Sequence, residues 1–280
     1  MRSSARRHMG SSQLRSTSWT GRDRGGAVRL VQFGAGLVGV AMVLLGAGPV
    51  SAYRPFVSTD ASVADPREVE IELGALTLSR TARENTFTAP SVVLNYGVRE
   101  RWELVGEFRV QEGSGTEITD PGISLKGVLR EGVLQDKDGV SLAVEAGPLL
   151  PSTVKGERGV GFEGTGILSA RLAPLTFHLN VGGGVDRSDA RPFVTWGLIG
   201  ELPVTARFRF VSEVNGEGTK GQRPNNSVLA GFIWQPSSAN FFLDAAIRRG
   251  FSGGAPDWEF TAGVTFGFSL AASPRHGLGL

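Results

Sequence analysis

From residue 67 to residue 270, apolar and polar side chains alternate with a period of two, the period at which successive strand residues point to opposite faces. In the run 101–110, Trp102, Leu104, Phe108 and Val110 share one face, while Arg101, Glu103, Glu107 and Arg109 share the other. Near the C-terminus Trp258, Phe260, Ala262, Val264, Phe266, Phe268 and Leu270 oppose Glu259, Thr261, Gly263, Thr265, Gly267 and Ser269. Leu175, Phe177, Leu179 and Val181 oppose Thr176, His178, Asn180 and Gly182 in the same way. The spacing predicts twelve strands, near 68–79, 86–98, 100–111, 121–130, 139–150, 160–172, 174–184, 192–202, 205–215, 226–235, 239–249 and 257–270. No helix-period pattern interrupts them.

The connectors between these strands sort by parity. Those at 80–85, 111–120, 151–159, 186–191, 216–225 and 250–257 are polar, Gly-rich and long. The intervening ones are mostly tight, as at Ala173-Pro174 and Pro203-Val204, with 131–138 the one longer exception. Long outer loops alternating with short inner turns are the habit of an outer-membrane barrel, and a soluble sandwich gives no reason for it. Aromatic residues fall near both strand ends: Tyr96, Trp102, Trp234, Phe241 and Phe268 at one, Phe162 and Trp258 at the other. That is the placement of headgroup-level girdles. The expectation is an all-β chain, a transmembrane antiparallel up-and-down β-barrel of about 12 strands.

The N-terminal part reads differently. Residues 30–52 carry no charge, follow a basic stretch and end in Pro49-Val50-Ser51-Ala52. This is the pattern of a secretory signal peptide cleaved after Ala52. The expected division is therefore a signal peptide at 1–52, a periplasmic N-terminal segment at 53–66, an outer-membrane barrel at 67–270 and a C-terminal tail at 271–280. Removing 52 from 280 residues leaves 228, or 19 per strand with its connector, against the roughly 9–11 that a tilted strand needs to cross a bilayer. A dinucleotide-type run, Gly34-Ala35-Gly36-Leu37-Val38-Gly39, lies within the apolar segment, but Pro49 closes it and no parallel βαβ pattern follows.

The formal net charge of +2 is an N-terminal effect. Seven arginines and one aspartate lie in residues 1–52, so the remainder holds 22 basic and 26 acidic side chains, a net −4. Nothing in that balance calls for nucleic acid. The chain has no cysteine and three histidines, which excludes disulfides, thiolate metal sites and a cysteine nucleophile. No cofactor or metal is expected. Thr176, His178 and Asn180 form a hydroxyl–imidazole–amide set on one strand face, yet Phe177 and Leu179 turn that face inward. The chain is therefore read as non-enzymatic.

With these residues in view, the chain resembles the Gram-negative outer-membrane barrel family named after meta-pathway phenol degradation. The likeness is carried by Val69–Leu78, Leu94–Phe108, Asp120–Lys126, Gly147–Ser152 and Phe241–Phe268. It departs at the C-terminus, where Phe268 is followed by Ser269, Leu270 and a tail. The resemblance implies a porin-like transport barrel in the outer membrane, with membrane lipid and the barrel assembly machinery as partners and a small, unidentified solute as cargo, hydrophobic or aromatic solutes among the candidates. The candidate lumen-lining residues are Arg101, Glu103, Glu107 and Arg109, then Lys126, Glu145 and His178, then Arg207, Arg209 and Glu213, and finally Asp244 and Arg248. Their mixed signs predict a salt-bridged interior with weak charge selectivity. The register also predicts that Arg at Val264 is damaging and Arg at Thr265 better tolerated. Two other readings fit the same pattern: an exported soluble β-protein that binds a ligand, and a structural barrel that does not conduct.

Overall fold

The computed structural model describes residues 54–81, 84–112, 115–236 and 241–270. The signal sequence with its cleavage point, the glycine-rich run at 34–39 and the tail at 271–280 lie outside the described residues. Twelve strands follow one another in chain order: β1 (Glu68–Arg80), β2 (Asn85–Arg99), β3 (Trp102–Glu112), β4 (Thr116–Arg130), β5 (Ser141–Leu149), β6 (Gly161–Leu172), β7 (Leu175–Val185), β8 (Pro192–Thr205), β9 (Phe208–Thr219), β10 (Asn225–Trp234), β11 (Phe241–Gly250) and β12 (Trp258–Ser269). Each pairs antiparallel with the next, and β12 returns to pair with β1 from Glu68↔Ser269 to Arg80↔Trp258. The sheet is thus a closed barrel. Closure pairs every strand on both sides and leaves no row of unsatisfied N–H and C=O groups.

Alternation along each strand sends apolar side chains out. Leu104, Ile123, Leu125, Leu179, Leu198, Phe210, Ile247 and Phe260 are all exposed on the outer surface. Six register shifts interrupt the ladders, and two of them show how a bulge changes the parity of that alternation. On β1 the register slips between Gly74 and Leu76, so Ile71 and Leu73 are followed on the outer face by Leu76 and Leu78. On β4 one extra residue is inserted between the pairs Glu107↔Gly122 and Arg109↔Thr119, so that Asp120 and Pro121 together face Phe108 alone. Asp120 lies there at φ +50°, and the outer face passes from Ile118 to Ile123. An inserted residue flips everything beyond it to the other face, and the flips keep the apolar belt continuous.

The strand ends differ from expectation at the loops. The β3–β4 ladder runs on to Glu112↔Thr116, and the β9–β10 ladder to Glu217↔Asn225. The connectors expected at 111–120 and 216–225 are correspondingly shorter, and the contrast between the two barrel ends is weaker than the sequence suggests. Polar, Gly-rich residues at these ends still satisfy backbone groups across the hairpin, where cross-strand pairing competes well with hydration. We call the end carrying the β2–β3, β6–β7 and β8–β9 turns the short-turn end.

Residues 54–66, which fall in the expected N-terminal segment, run inside the barrel wall. The β4–β5 connector, the one unexpectedly long short-turn connector, folds in to meet them. Its 3₁₀ turn (Val133–Gln135) brings the Gln135 amide to the Ala61 carbonyl at 2.9 Å. Leu134 packs with Ala61, Ala143 and Ile167. Opposite, Phe56 and Phe242 pack on Val211 and Ile233. These two small clusters are the barrel's interior apolar core.

Candidate functional site, the barrel lumen

Inward positions of the wall are polar, and at the short-turn end they bind the backbone of residues 54–66. Glu213 on β9, 1% exposed, accepts the amides of Val57 and Ser58, the latter at 2.8 Å. Asn180 on β7 accepts the Thr59 amide at 3.1 Å and donates to the Thr59 carbonyl at 2.7 Å. Ser169 on β6 accepts the Ala61 amide at 3.1 Å, and Glu103 on β3 accepts that of Ala64 at 2.7 Å. A non-strand segment enclosed by the barrel has no ladder partner, so side chains must satisfy its N–H groups.

Charge pairs fix the same segment. Lys126 on β4 sits 3.4 Å from Glu103 and 3.8 Å from Asp60, with all three side chains at most 5% exposed. Arg54 reaches Asp244 on β11 at 3.5 Å and donates to Ser91 and Thr261. The wall is shaped for this occupant: a Cβ at Gly97 would collide with the Asp65 carbonyl oxygen, and one at Gly263 with the Arg54 guanidinium. Further round, Arg248 on β11 donates to Glu213 at 3.0 Å and to Asn215 at 2.7 Å and forms an ion pair with Glu259 at 3.3 Å.

Beyond the segment lies a cavity of about 1070 Å³, lined at its far end by residues of the other set of loops, among them Ser188, Gln222 and Pro256. Fourteen Asp and Glu residues line it against four Arg and Lys. Toward the loops, Asp120 pairs with both Arg109 and Arg187 at 3.3 Å, and Arg187 also faces Glu157 at 3.8 Å.

The expected lumen residues separate into four groups. Glu103, Lys126, Glu213, Asp244 and Arg248 are buried against or beside residues 54–66, and Glu107, Arg109 and Glu145 line the open cavity. His178 is buried, its Nδ1 hydrogen-bonded to Ser169 Oγ at 2.8 Å, with Nε2 3.9 Å from Glu201. Arg209 points inward at the short-turn end, 3.2 Å from Glu201 and over the Phe242 ring. Arg101 and Arg207 differ from expectation. β3 begins at Trp102 and β9 at Phe208, so both arginines fall in turns on the rim, Arg101 at φ +66°.

Arg101 bonds Glu131 at 2.5 Å, and Lys137 bonds it too. The Lys137 bond first, and the Arg101 bond after it, hold the Glu131 carboxyl below its ordinary 4.5. On the opposite rim, partial burial pushes Asp186 up. Hydrogen bonds from the Asp189 and Ser188 amides and the Ser188 hydroxyl outweigh it and leave that carboxyl below its ordinary 3.8.

The Ser169–His178–Glu201 chain has the order of a hydrolytic triad, but its geometry is structural. Ser169 is 0% exposed, its Oγ accepts the Ala61 amide, and His178 Nε2 has no hydrogen bond to Glu201. Among the described residues no group of three or more carboxylate or imidazole side chains converges as a metal site.

Sequence reasoning missed the interior course of residues 54–66 and their receptors Ser91 and Ser169, and it placed Asn180 and Thr261 on the inward face without assigning them this role. The one usable signal was composition. Residues 54–66 mix Arg54, Asp60 and Asp65 with small side chains, without any strand period, next to a wall carrying complementary inward charges.

No family model matches the chain. No curated protein matches it either. Solved structures similar to it include the KdgM porin, at 8% identity and TM-score 0.48 over 71% of this chain and 98% of that one. The translocator domain of the autotransporter NalP from Neisseria meningitidis follows at 10% and 0.38, over 87% and 98%. The CymD monoaromatic hydrocarbon channel stands at 9% and 0.38, over 76% and 90%. With likeness this distant, the barrel assignment rests on the strand pairing itself.

Proposed function

We propose that this chain is an outer-membrane channel for small solutes, exported by its N-terminal signal, cleaved after Ala52 and held closed at the periplasmic mouth by its own residues 54–66. The observation that carries the reading is a closed twelve-strand barrel whose outer face is a belt of exposed apolar side chains around a polar, charged cavity. Bare apolar side chains all round a closed wall suit lipid as solvent, and a charged interior suits water and polar solutes. The short-turn end is the periplasmic one, since short turns face that side in such barrels. The resemblance to the meta-pathway phenol-degradation family belongs to this proposal, as do the assembly machinery and the solute.

The test is planar-bilayer conductance of the mature chain beside an Arg54→Ala/Glu213→Gln variant, each first shown to be folded by heat-modifiable gel mobility. The wild type gives small or brief openings, and the variant gives larger and longer ones. Silence from a folded, inserted variant would overturn the channel reading in favour of a structural barrel. Recovery of the protein in the soluble fraction would favour an exported ligand-binding barrel.

A further inference from the structure

We propose that the lumen cavity binds small solutes carrying more than one ammonium or guanidinium group. This deepens the channel reading and rests on the cavity being reached from the loop end. The cavity lining holds fourteen acidic side chains and four basic ones, a surplus of ten acidic groups. The four cations are already engaged: Arg109 by Asp120, Lys126 by Glu103 and Asp60, Arg187 by Asp120 and Glu157, and Arg248 by Glu213 and Glu259. Glu107, Glu145 and Glu163, on three strands of one side of the wall, form no ion pair among the described residues.

A second, separate observation points the same way. Glu68 lines the same cavity and is only 4% exposed; its Oε2 accepts the Asp65 amide at 3.3 Å, while its Oε1 has no hydrogen-bond partner. A buried carboxylate oxygen without a donor is costly in a low-dielectric site and is relieved by a cationic donor.

The spacing decides between cation classes. The three carboxylates stand on β3, β5 and β6, so they are one to three strand separations apart, about 5–15 Å. They do not converge on a point, as a metal ion would need. A chain of amines separated by three or four carbons can place one ammonium near each. A cation-selective cavity differs from the weak charge selectivity expected of a mixed-sign, salt-bridged lining, because Arg101 and Arg207 lie in turns on the rim rather than in the lumen.

The experiment is calorimetric titration of spermidine into the folded mature chain in detergent at low ionic strength, where screening is weakest. The wild type should bind saturably. A Glu107→Gln/Glu145→Gln/Glu163→Gln variant that keeps heat-modifiable mobility should bind at least about ten-fold more weakly, and each single variant about three-fold. The single variants decide the matter if the triple variant does not fold. Glu84→Gln, on the β1–β2 loop, should leave binding unchanged. No wild-type binding, or equal binding by wild type and the carboxamide variants, overturns the proposal. Magnesium binding with the same dependence on the three carboxylates, and none by spermidine, reassigns the site to a metal ion and overturns it too. Calorimetry needs no conduction, so a silent channel and a cavity that ignores polyamines are separate failures.

Discussion

Lys126 shows how much a single side chain can hold in this barrel. It is 3% exposed and stands between Glu103 and Asp60. Lys126→Ala would strand two buried carboxylates, and losing one partner of a buried charge cluster costs about 3–5 kcal/mol. Denaturant unfolding in detergent should show that loss, whereas Lys155→Ala in an outer loop should show almost none. Glu131 gives a pH prediction. Its carboxyl is held below the ordinary 4.5, so the Arg101–Glu131–Lys137 cluster contributes stability above that value and loses it as pH falls through the lowered one. Glu131→Gln should remove this acid-side dependence from the melting profile, and an unchanged profile would show that the cluster is thermodynamically silent. One residue-scale expectation from sequence needs correcting. Thr265 does face inward, but it is 0% exposed between Glu72 and Phe242, so Arg there should lower stability as well. Parity reveals which face a residue is on. It does not reveal whether that face is already filled.

At the scale of elements, the period of two was enough to place all twelve strands, because an outward apolar belt and an inward polar wall force strict alternation. The misplacements have local causes. Asp120-Pro121 reads as a turn, yet the backbone absorbs it as a bulge and β4 begins at Thr116. Arg101 and Arg207 continue the alternation in sequence but sit in turns. The interior segment was illegible because its contacts are side chain to backbone, and those leave no periodic mark. Its occupancy is open to test. The chain has no cysteine, so Ser58→Cys introduces a unique thiol beside Glu213 and Gly197. In the folded barrel it should react slowly with a water-soluble maleimide. Adding Gly97→Val, which drives a side chain into the Asp65 carbonyl, should speed labelling about ten-fold or more if local release costs about 1.4 kcal/mol less. Fast labelling in both proteins would mean that the segment does not rest in the lumen.

The whole molecule turns the usual soluble arrangement inside out: apolar side chains outside, and salt bridges, a threaded segment and a charged cavity within. An Arg at Leu104 on the outer belt should cost about 2–4 kcal/mol near the middle of the bilayer. The same substitution on a soluble barrel's surface would cost little, since Leu104 is already 42% exposed. The most direct test of the account is nitroxide scanning of β3 in lipid vesicles, one spin label at a time from Trp102 to Val110, with accessibility to oxygen and to a water-soluble nickel chelate recorded at each site. Labels at 104, 108 and 110 should be reached by oxygen and shielded from nickel, and labels at 103, 105, 107 and 109 should be shielded from oxygen, with period two throughout. Nickel reaching 104, 108 and 110, or an accessibility without that period, would contradict a lipid-embedded barrel.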